Sequence, residues 1–134
     1  MDKGSVEALI RAAYEARLRG DLDEVVAHFA DGATFSVSGS PAVSPVPTAA
    51  SGRAAIREVL RRLLEGFAFS QLELVSLLVD GERAAAHWHV RVKALGSGYE
   101  AETDILDLIR VQDGRITEFR QFADTALINR MIGA

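Results

Sequence analysis

An acidic residue inside an apolar strand is the feature of this sequence that most clearly points to chemistry. The stretch YEAETDILDLIRV, from Tyr99 to Val111, contains Glu102, Asp104 and Asp107. Side chains alternate between the two faces of a β-strand, so Glu102 and Asp104 share one face and Asp107 lies on the other. Because burial among apolar residues favours the protonated form of a carboxyl group, Asp107 is a candidate acid or hydrogen-bond donor.

The preceding strand, HWHVRVKA, indicates which face of this strand pair is outside. Its apolar residues alternate with two histidines and two basic residues. A two-residue Ser97-Gly98 loop pairs Lys93 with Glu102 and Arg91 with Asp104, whereas a three-residue loop sets both acids against valines. We favour the first register because it pairs opposite charges on the outer face.

Asp107 lies on the inner face in that register, opposite Trp88 and near Val90 and Ile105. No basic residue is predicted to face it. We therefore interpret Asp107 as a functional group in a concave apolar site. The alternative is a structural Asp that bonds a backbone amide or a water.

The last strand, RITEFRQFAD, has two registers that predict different chemistry. A three-residue loop over 112–114 sets Phe119 opposite Asp107 and points Gln121 inward, and we favour this register. A two-residue loop over 113–114 instead sets Arg120 opposite Asp107 and creates a buried ion pair. In the favoured register the inward amide of Gln121 is placed to orient a ligand carbonyl or to hold a water for Asp107.

The elements that position these residues are predicted from apolar spacing and turn residues. Helices are expected over 5–19, from Asp21 to the HFADG segment, along the stripe from Ile56 to Phe67, and after Asp124. A strand is expected over 33–38, followed by a loop, SGSPAVSPVPTAAS, which holds all three prolines. Four strands with hairpin breaks complete an α+β fold, in which three N-terminal helices pack on a curved, mostly antiparallel sheet.

Composition sets limits on the class of protein. With 134 residues the chain is expected to form a single domain, residues 1–134. The net charge is −4 and no basic run is present, so nucleic acid is an unexpected partner. The chain has no cysteine, and charged residues interrupt its N-terminal apolar stretch, which argues against a signal peptide. We expect a soluble cytoplasmic protein with no membrane contact.

Four segments together resemble the SnoaL-like branch of the nuclear-transport-factor-2-like superfamily, which includes ketosteroid isomerases. They are GDLDEVVAHFADGATF, SGRAAIREVL, the strand of Asp107, and DGRITEFRQFAD. The resemblance covers nearly the whole chain and implies a cone-shaped fold that encloses a pocket. It does not specify one function, because this fold supports many activities and also non-catalytic roles.

The resemblance also implies roles for individual residues. ILDLIRV is similar to the isomerase strand whose aspartic acid donates a hydrogen bond to the developing oxyanion, so Asp107 would be that donor. The position of the isomerase's general base holds Val37, which argues against a true steroid isomerase. The isomerase tyrosine aligns with Ala13, one residue from Tyr14. Gln121 stands where limonene-type epoxide hydrolases would have their second carboxylate.

These considerations define the predicted site. Asp107, Gln121 and Tyr14 are the candidate catalytic residues, and no cofactor is expected. Candidate substrate-binding residues are the apolar side chains expected in the pocket wall: Trp88, Phe119, Val90, Ile105, Val37 and Phe35. His87 and His89 have a spacing that could bind a metal, but they belong to the outer face, and no metal is expected.

Three functions are compatible with the sequence. The first is an isomerase, cyclase or lyase acting on an apolar carbonyl or polyketide-like compound. The second is non-catalytic binding of a small apolar ligand. The third is a dimerising interaction module. A homodimer through the outer sheet face is expected in any case, because Leu106, Leu108 and Phe122 form an apolar strip there.

Overall fold

The computed structural model describes residues 1–40 and 48–133. Residues 41–47, which contain the three prolines of the predicted loop, lie outside the described residues. The described elements, in chain order, are α1 (Lys3–Arg19), α2 (Leu22–Ala27), β1 (Phe29–Val37), β2 (Thr48–Ser51), α3 (Arg53–Gly66), β3 (Phe67–Asp80), β4 (Arg83–Ala94), β5 (Glu100–Gln112), β6 (Arg115–Phe122) and α4 (Thr125–Gly133).

Local capping fixes both ends of α1. The Asp2 side chain accepts a hydrogen bond from the Ser5 amide at 2.8 Å, and Gly20 ends the helix with a φ of 73°. The buried face begins with Val6 and Ile10 and continues toward Arg17, whereas Leu18 is 39% exposed. The helical period thus places Arg17, rather than Leu18, on that face.

The six strands form one sheet in the order β2-β1-β6-β5-β4-β3, and β1 and β6 are its parallel pair. The helices pack on one face of this sheet, which confirms the predicted α+β architecture. The prediction for residues 48–51 was wrong: expected in the loop, they form β2. They pair antiparallel with the otherwise unpaired edge of β1, which satisfies backbone groups that a loop would leave open.

The β4–β5 hairpin has the predicted faces but not the predicted register. The loop between the strands is longer than two residues, and Lys93 therefore lies opposite Glu100 rather than Glu102. Asp104 lies opposite His89, whose Nδ1 is 2.7 Å from the Asp104 Oδ1. Because the shift is two residues, every side chain keeps its face, and charges still pair on the outside.

A β-bulge in β6 makes both predicted registers of the last hairpin wrong. The turn is the two-residue Asp113-Gly114 type, and both residues have positive φ, 52° and 77°. Thr117 is then an extra residue, and its hydroxyl donates a hydrogen bond to the Arg110 carbonyl at 3.2 Å. The bulge moves the register by one more step. Asp107 consequently lies opposite Gln121, neither Phe119 nor Arg120.

The outer face of the sheet carries the predicted apolar strip between charged rows. Leu106, Leu108 and Phe122 are 41%, 44% and 40% exposed, and Leu78 on β3 is 70% exposed. Cross-strand pairing sets Leu106 beside Phe122 and His87. None of the described helices is long and apolar enough to cross a membrane.

The Asp113-Gly114 turn should be sensitive to its glycine. We predict that Gly114→Ala lowers the free energy of unfolding by about 1 kcal/mol, because alanine is strained at positive φ. Gly96→Ala is the matched control, since Gly96 lies in the β4–β5 hairpin loop, has no positive φ, and has open space where a Cβ would be added. Urea denaturation measures both. Equal stability of the two variants would contradict the turn geometry.

Candidate functional site

Tyr14, Asp107 and Gln121 form a hydrogen-bonded group that we call the carboxyl cluster. The Tyr14 hydroxyl donates to Asp107 Oδ2. The Gln121 amide lies 3.2 Å from Asp107 Oδ1 and 3.2 Å from the Tyr14 oxygen. Asp107 is fully buried and is the only charged or polar residue in the buried class among the described residues. The structure therefore brings together the three residues predicted as catalytic.

Three elements position the cluster. Tyr14 belongs to the buried face of α1, and its ring stacks on Trp88 of β4 with centroids 4.2 Å apart. Asp107 and Gln121 are direct cross-strand partners, so their side chains leave the same face of the sheet. The β6 bulge creates this partnership. The helix thus places the Tyr14 hydroxyl beside Asp107 and Gln121, which the register of the sheet pairs.

Burial dominates the electrostatics of the cluster. It raises the pKa of Asp107 from 3.8 to about 7, although the hydrogen bonds from Tyr14 and Gln121 act in the opposite direction. Burial, and after it the neighbouring Asp107 carboxylate, raises the pKa of Tyr14 well above its usual value. Tyr14 consequently remains protonated near neutral pH, while Asp107 is present in both its acid and its ionised form.

A cavity of about 100 Å³ lies between the helices and the inner face of the sheet. Tyr14 and Gln121 contribute to its wall, together with five of the predicted substrate-binding residues: Phe119, Val90, Ile105, Val37 and Phe35. Asp107 and Trp88 are not among the described residues that line the cavity. They lie behind Tyr14, one hydrogen bond and one ring contact away from it.

This arrangement makes Tyr14 the contact between the buried carboxyl group and the cavity. When Asp107 is protonated, its O–H can donate to the Tyr14 oxygen, and the Tyr14 O–H is then free to donate into the cavity. When Asp107 is ionised, it accepts a hydrogen bond from the Tyr14 hydroxyl, whose hydrogen then points away from the cavity. Gln121 offers an amide group at the same place.

Two polar residues of the cavity wall were not predicted. Arg17 and Thr103 both line the cavity with Tyr14 and Gln121. The signal for Arg17 was present in the sequence, because it follows Tyr14 by three residues on the buried face of α1. Thr103 lies opposite Val90 on the inner face of β5, and strand alternation from Ile105 would have placed it there.

The histidine pair is remote from the cavity wall. His87 and His89 lie on the outer face, where both approach Asp104, at 3.5 Å and 2.7 Å. The hydrogen bond to Asp104 raises the pKa of His89. Across residues 1–40 and 48–133, no group of three or more His, Asp or Glu side chains is arranged to hold a metal ion.

The buried carboxyl group should give the protein a distinctive pH dependence of stability. Its folded pKa, about 7, is above its unfolded value of 3.8, so ionisation penalises folding as pH rises from about 4 to about 7. We predict that Asp107→Asn removes this penalty. Relative to the variant, the wild type should lose roughly 4 kcal/mol of unfolding free energy across that window. Chemical denaturation at successive pH values measures it.

Asp104→Asn is the matched control, because Asp104 is exposed on the same strand and its hydrogen bond to His89 lowers its pKa. Between pH 4 and 7 that substitution should produce little trend, because the lowered pKa of Asp104 places its own titration below this window and only the deprotonation of His89 adds a small loss near its upper end. A wild type that gains stability relative to Asp107→Asn as pH rises would mean that Asp107 is ionised and well partnered.

A family model for the SnoaL-like domain matches residues 10–119. No curated protein sequence matches the chain. Similar solved structures include a candidate isomerase from Rhodopseudomonas palustris, with a TM-score of 0.82, 22% identity, and complete coverage of both chains.

Two other similar structures carry different activities in their names. A candidate polyketide cyclase from Xanthomonas campestris pv. campestris has a TM-score of 0.75 and 21% identity, covering 97% of this chain and 98% of its own. An LEH-like epoxide hydrolase from M. tuberculosis has a TM-score of 0.72 and 18% identity, covering 97% and 88%. At these identities the likeness establishes the fold. With the family model spanning most of its length, the chain belongs to the SnoaL-like domain family.

Proposed function

We propose that this protein is an isomerase-, cyclase- or lyase-type enzyme for an apolar carbonyl or polyketide-like compound. The observation that carries the proposal is the position of the Tyr14 hydroxyl, between a buried carboxyl group and an apolar cavity. The named activities of proteins with this fold, among them a candidate isomerase and a candidate polyketide cyclase, support the same reaction class.

The proposed chemistry is stabilisation of negative charge on a carbonyl oxygen. Protonated Asp107 donates to the Tyr14 oxygen, and Tyr14 donates to the ligand carbonyl. When the ligand loses a proton from its α-carbon to water, the enolate oxygen keeps that hydrogen bond, which strengthens as charge develops. Gln121 steadies the cluster by donating to both oxygen atoms. The apolar wall lowers the local dielectric constant, which strengthens that hydrogen bond.

The same scheme predicts the effect of pH. Ionised Asp107 accepts a hydrogen bond from the Tyr14 hydroxyl, which then no longer donates to the ligand, so the donor form of the cluster is lost as pH rises through about 7. Carbonyl binding should weaken in the same interval. This direction distinguishes the donor role of Asp107 from a role as a general base, for which activity would rise with pH.

Non-catalytic binding is the second candidate, and the make-up of the cavity wall favours it. The described residues of the wall include no Asp or Glu, and Val37, at the position of the isomerase base, is buried and apolar. A protein of this kind would hold the carbonyl compound through Tyr14 without removing a proton from it. The two candidates differ in whether the bound ligand exchanges its α-protons.

Substitution of Tyr14 tests the proposal. Acetophenone serves as the probe, and deuterium exchange of its methyl protons is followed by NMR in deuterated water. We expect the wild type to accelerate exchange and Tyr14→Phe to reduce that acceleration about 10²-fold, the usual cost of losing one oxyanion donor. Tyr99→Phe is the matched control, because Tyr99 packs against Val92, Ala94 and Met131 and is not among the described residues that line the cavity.

The outcomes separate the two candidates. Binding of acetophenone by the wild type without any exchange would favour the non-catalytic function. Equal exchange rates in the wild type and Tyr14→Phe would reject the donor role of Tyr14. Acceleration that increases, rather than decreases, as pH rises through 7 would assign Asp107 to base catalysis instead.

We also propose that the protein forms a homodimer through the outer face of its sheet. The exposed strip of Leu78, Leu106, Leu108 and Phe122 supports this, because exposed apolar side chains grouped on one face commonly form an interface. Paired charges at its border, such as His89 with Asp104, are compatible with a polar rim.

A charge in the strip should disrupt the dimer. We expect sedimentation equilibrium to give twice the monomer mass for the wild type and the monomer mass for Leu106→Lys. Leu18→Lys, which changes a comparably exposed leucine on α1, should leave the dimer unaffected. A monomeric wild type at high concentration, or a dimer that survives Leu106→Lys, would contradict the proposed interface.

A further inference from the structure

Arg17 is the one cation among the described residues that line the cavity. It lies one helical turn from Tyr14 on the same face of α1, which corresponds to about 4.5 Å along the helix axis. The cavity therefore has two polar contacts on one wall, a hydroxyl that donates to oxygen and a guanidinium. The rest of that wall is largely apolar.

The protein uses only part of the Arg17 side chain for its own structure. Nη2 donates to the Phe67 carbonyl at 2.6 Å and to the Leu63 carbonyl at 3.4 Å, at the C-terminal end of α3. The guanidinium lies 4.1 Å from the centroid of the Phe69 ring. Within the described part of the chain, Nε and Nη1 make no hydrogen bond, and no carboxylate forms an ion pair with Arg17.

Other arginines of the same region are neutralised. On α1, Arg11 pairs with Glu7 and Arg19 pairs with Glu24. Arg17 is more buried than either, and burial lowers its pKa to about 10, which leaves it positively charged at neutral pH. A partly buried charge without a counter-ion is unfavourable unless a ligand supplies one. Helix capping through Nη2 alone does not account for a charged side chain that lines an apolar cavity.

From this arrangement we propose that the natural ligand is an apolar oxo acid, whose carboxylate binds the free edge of the Arg17 guanidinium while its carbonyl oxygen binds the Tyr14 hydroxyl. This inference rests on the proposed function and narrows its substrate class. Arginine suits such a group because its planar N–H donors match the two oxygens of a carboxylate. The short distance between the contacts favours a compact ligand, with one ring or a short chain separating ketone and acid.

A matched pair of probes tests the charge of the ligand. 4-Acetylbenzoate has a ketone and a carboxylate across one ring, and 4-acetylbenzamide has the same shape without the charge. Isothermal titration calorimetry at pH 6, where Asp107 is mainly in its acid form and the acid probe is ionised, should show at least tenfold tighter binding of the acid by the wild type. Arg17→Gln should abolish this preference, Arg17→Lys should retain part of it, and Arg11→Gln, on the exposed side of the same helix, should leave it unchanged.

The ratio of the two affinities separates ligand binding from a structural role. If Arg17→Gln weakens both probes equally, Arg17 acts only through the fold and the proposal is wrong. If the wild type binds both probes equally well and Tyr14→Phe weakens both, the carbonyl site stands and the acid subsite does not. If the acid is preferred but Tyr14→Phe has no effect on either probe, Arg17 is an anion site and the proposed function fails. Failure of both probes to bind would reject both.

Discussion

The hydrogen bond between the Tyr14 hydroxyl and the Asp107 carboxyl group is the interaction on which the site depends. It joins the first helix to the fifth strand inside the apolar core, where a polar group without a partner would strongly destabilise the fold. Gln121 supplies the second partner of the carboxyl group. The packing of α1 on the sheet therefore also supplies the hydrogen bond that Asp107 needs. If the helix shifted, the carboxyl group would lose this partner inside the apolar core.

Burial together with these two hydrogen bonds explains why the pKa of Asp107 lies near neutrality. Burial alone favours the acid form, whereas two donors favour the carboxylate, and the balance gives about 7. A cluster of this kind exchanges a proton with little cost in either direction near the pH of most cells. The stability lost by burying an ionisable group is compatible with a functional role, because functional sites are commonly less stable than the fold could allow.

The fold and much of the site could be predicted from the sequence, for reasons that differ between elements. Strand alternation placed Asp107 inside with Ile105 and Ile109, and this parity survived a two-residue error in the β4–β5 register. The isomerase resemblance brought Tyr14 into the predicted site through its neighbour Ala13, but it carried no signal for Arg17, which only the helical period places on the same face. The pairing of Asp107 with Gln121 could not be derived, since it depends on the extra residue in β6.

A sign of that bulge was nevertheless present. Ile116 and Phe119 are three residues apart, yet both are buried, which simple alternation forbids. Cross-strand partners are a long-range property, set jointly by turn type and strand irregularities, and each single-residue uncertainty changes the partner of every residue beyond it. Local pattern therefore predicts which face a side chain occupies more securely than which side chain it meets.

The bulge at Thr117 also has an evolutionary consequence. In a regular strand after the same turn, Asp107 would face Arg120, and the acid would be a permanently ionised member of an ion pair. One inserted residue thus decides the state of Asp107 while the order of helices and strands stays the same. With the bulge its carboxyl group exchanges a proton, and without it the group is a fixed anion. Insertions and deletions in this hairpin could diversify the reactions of such domains without any substitution in the cavity. A sequence alignment based on residue identity alone would not show such a change of cross-strand partner.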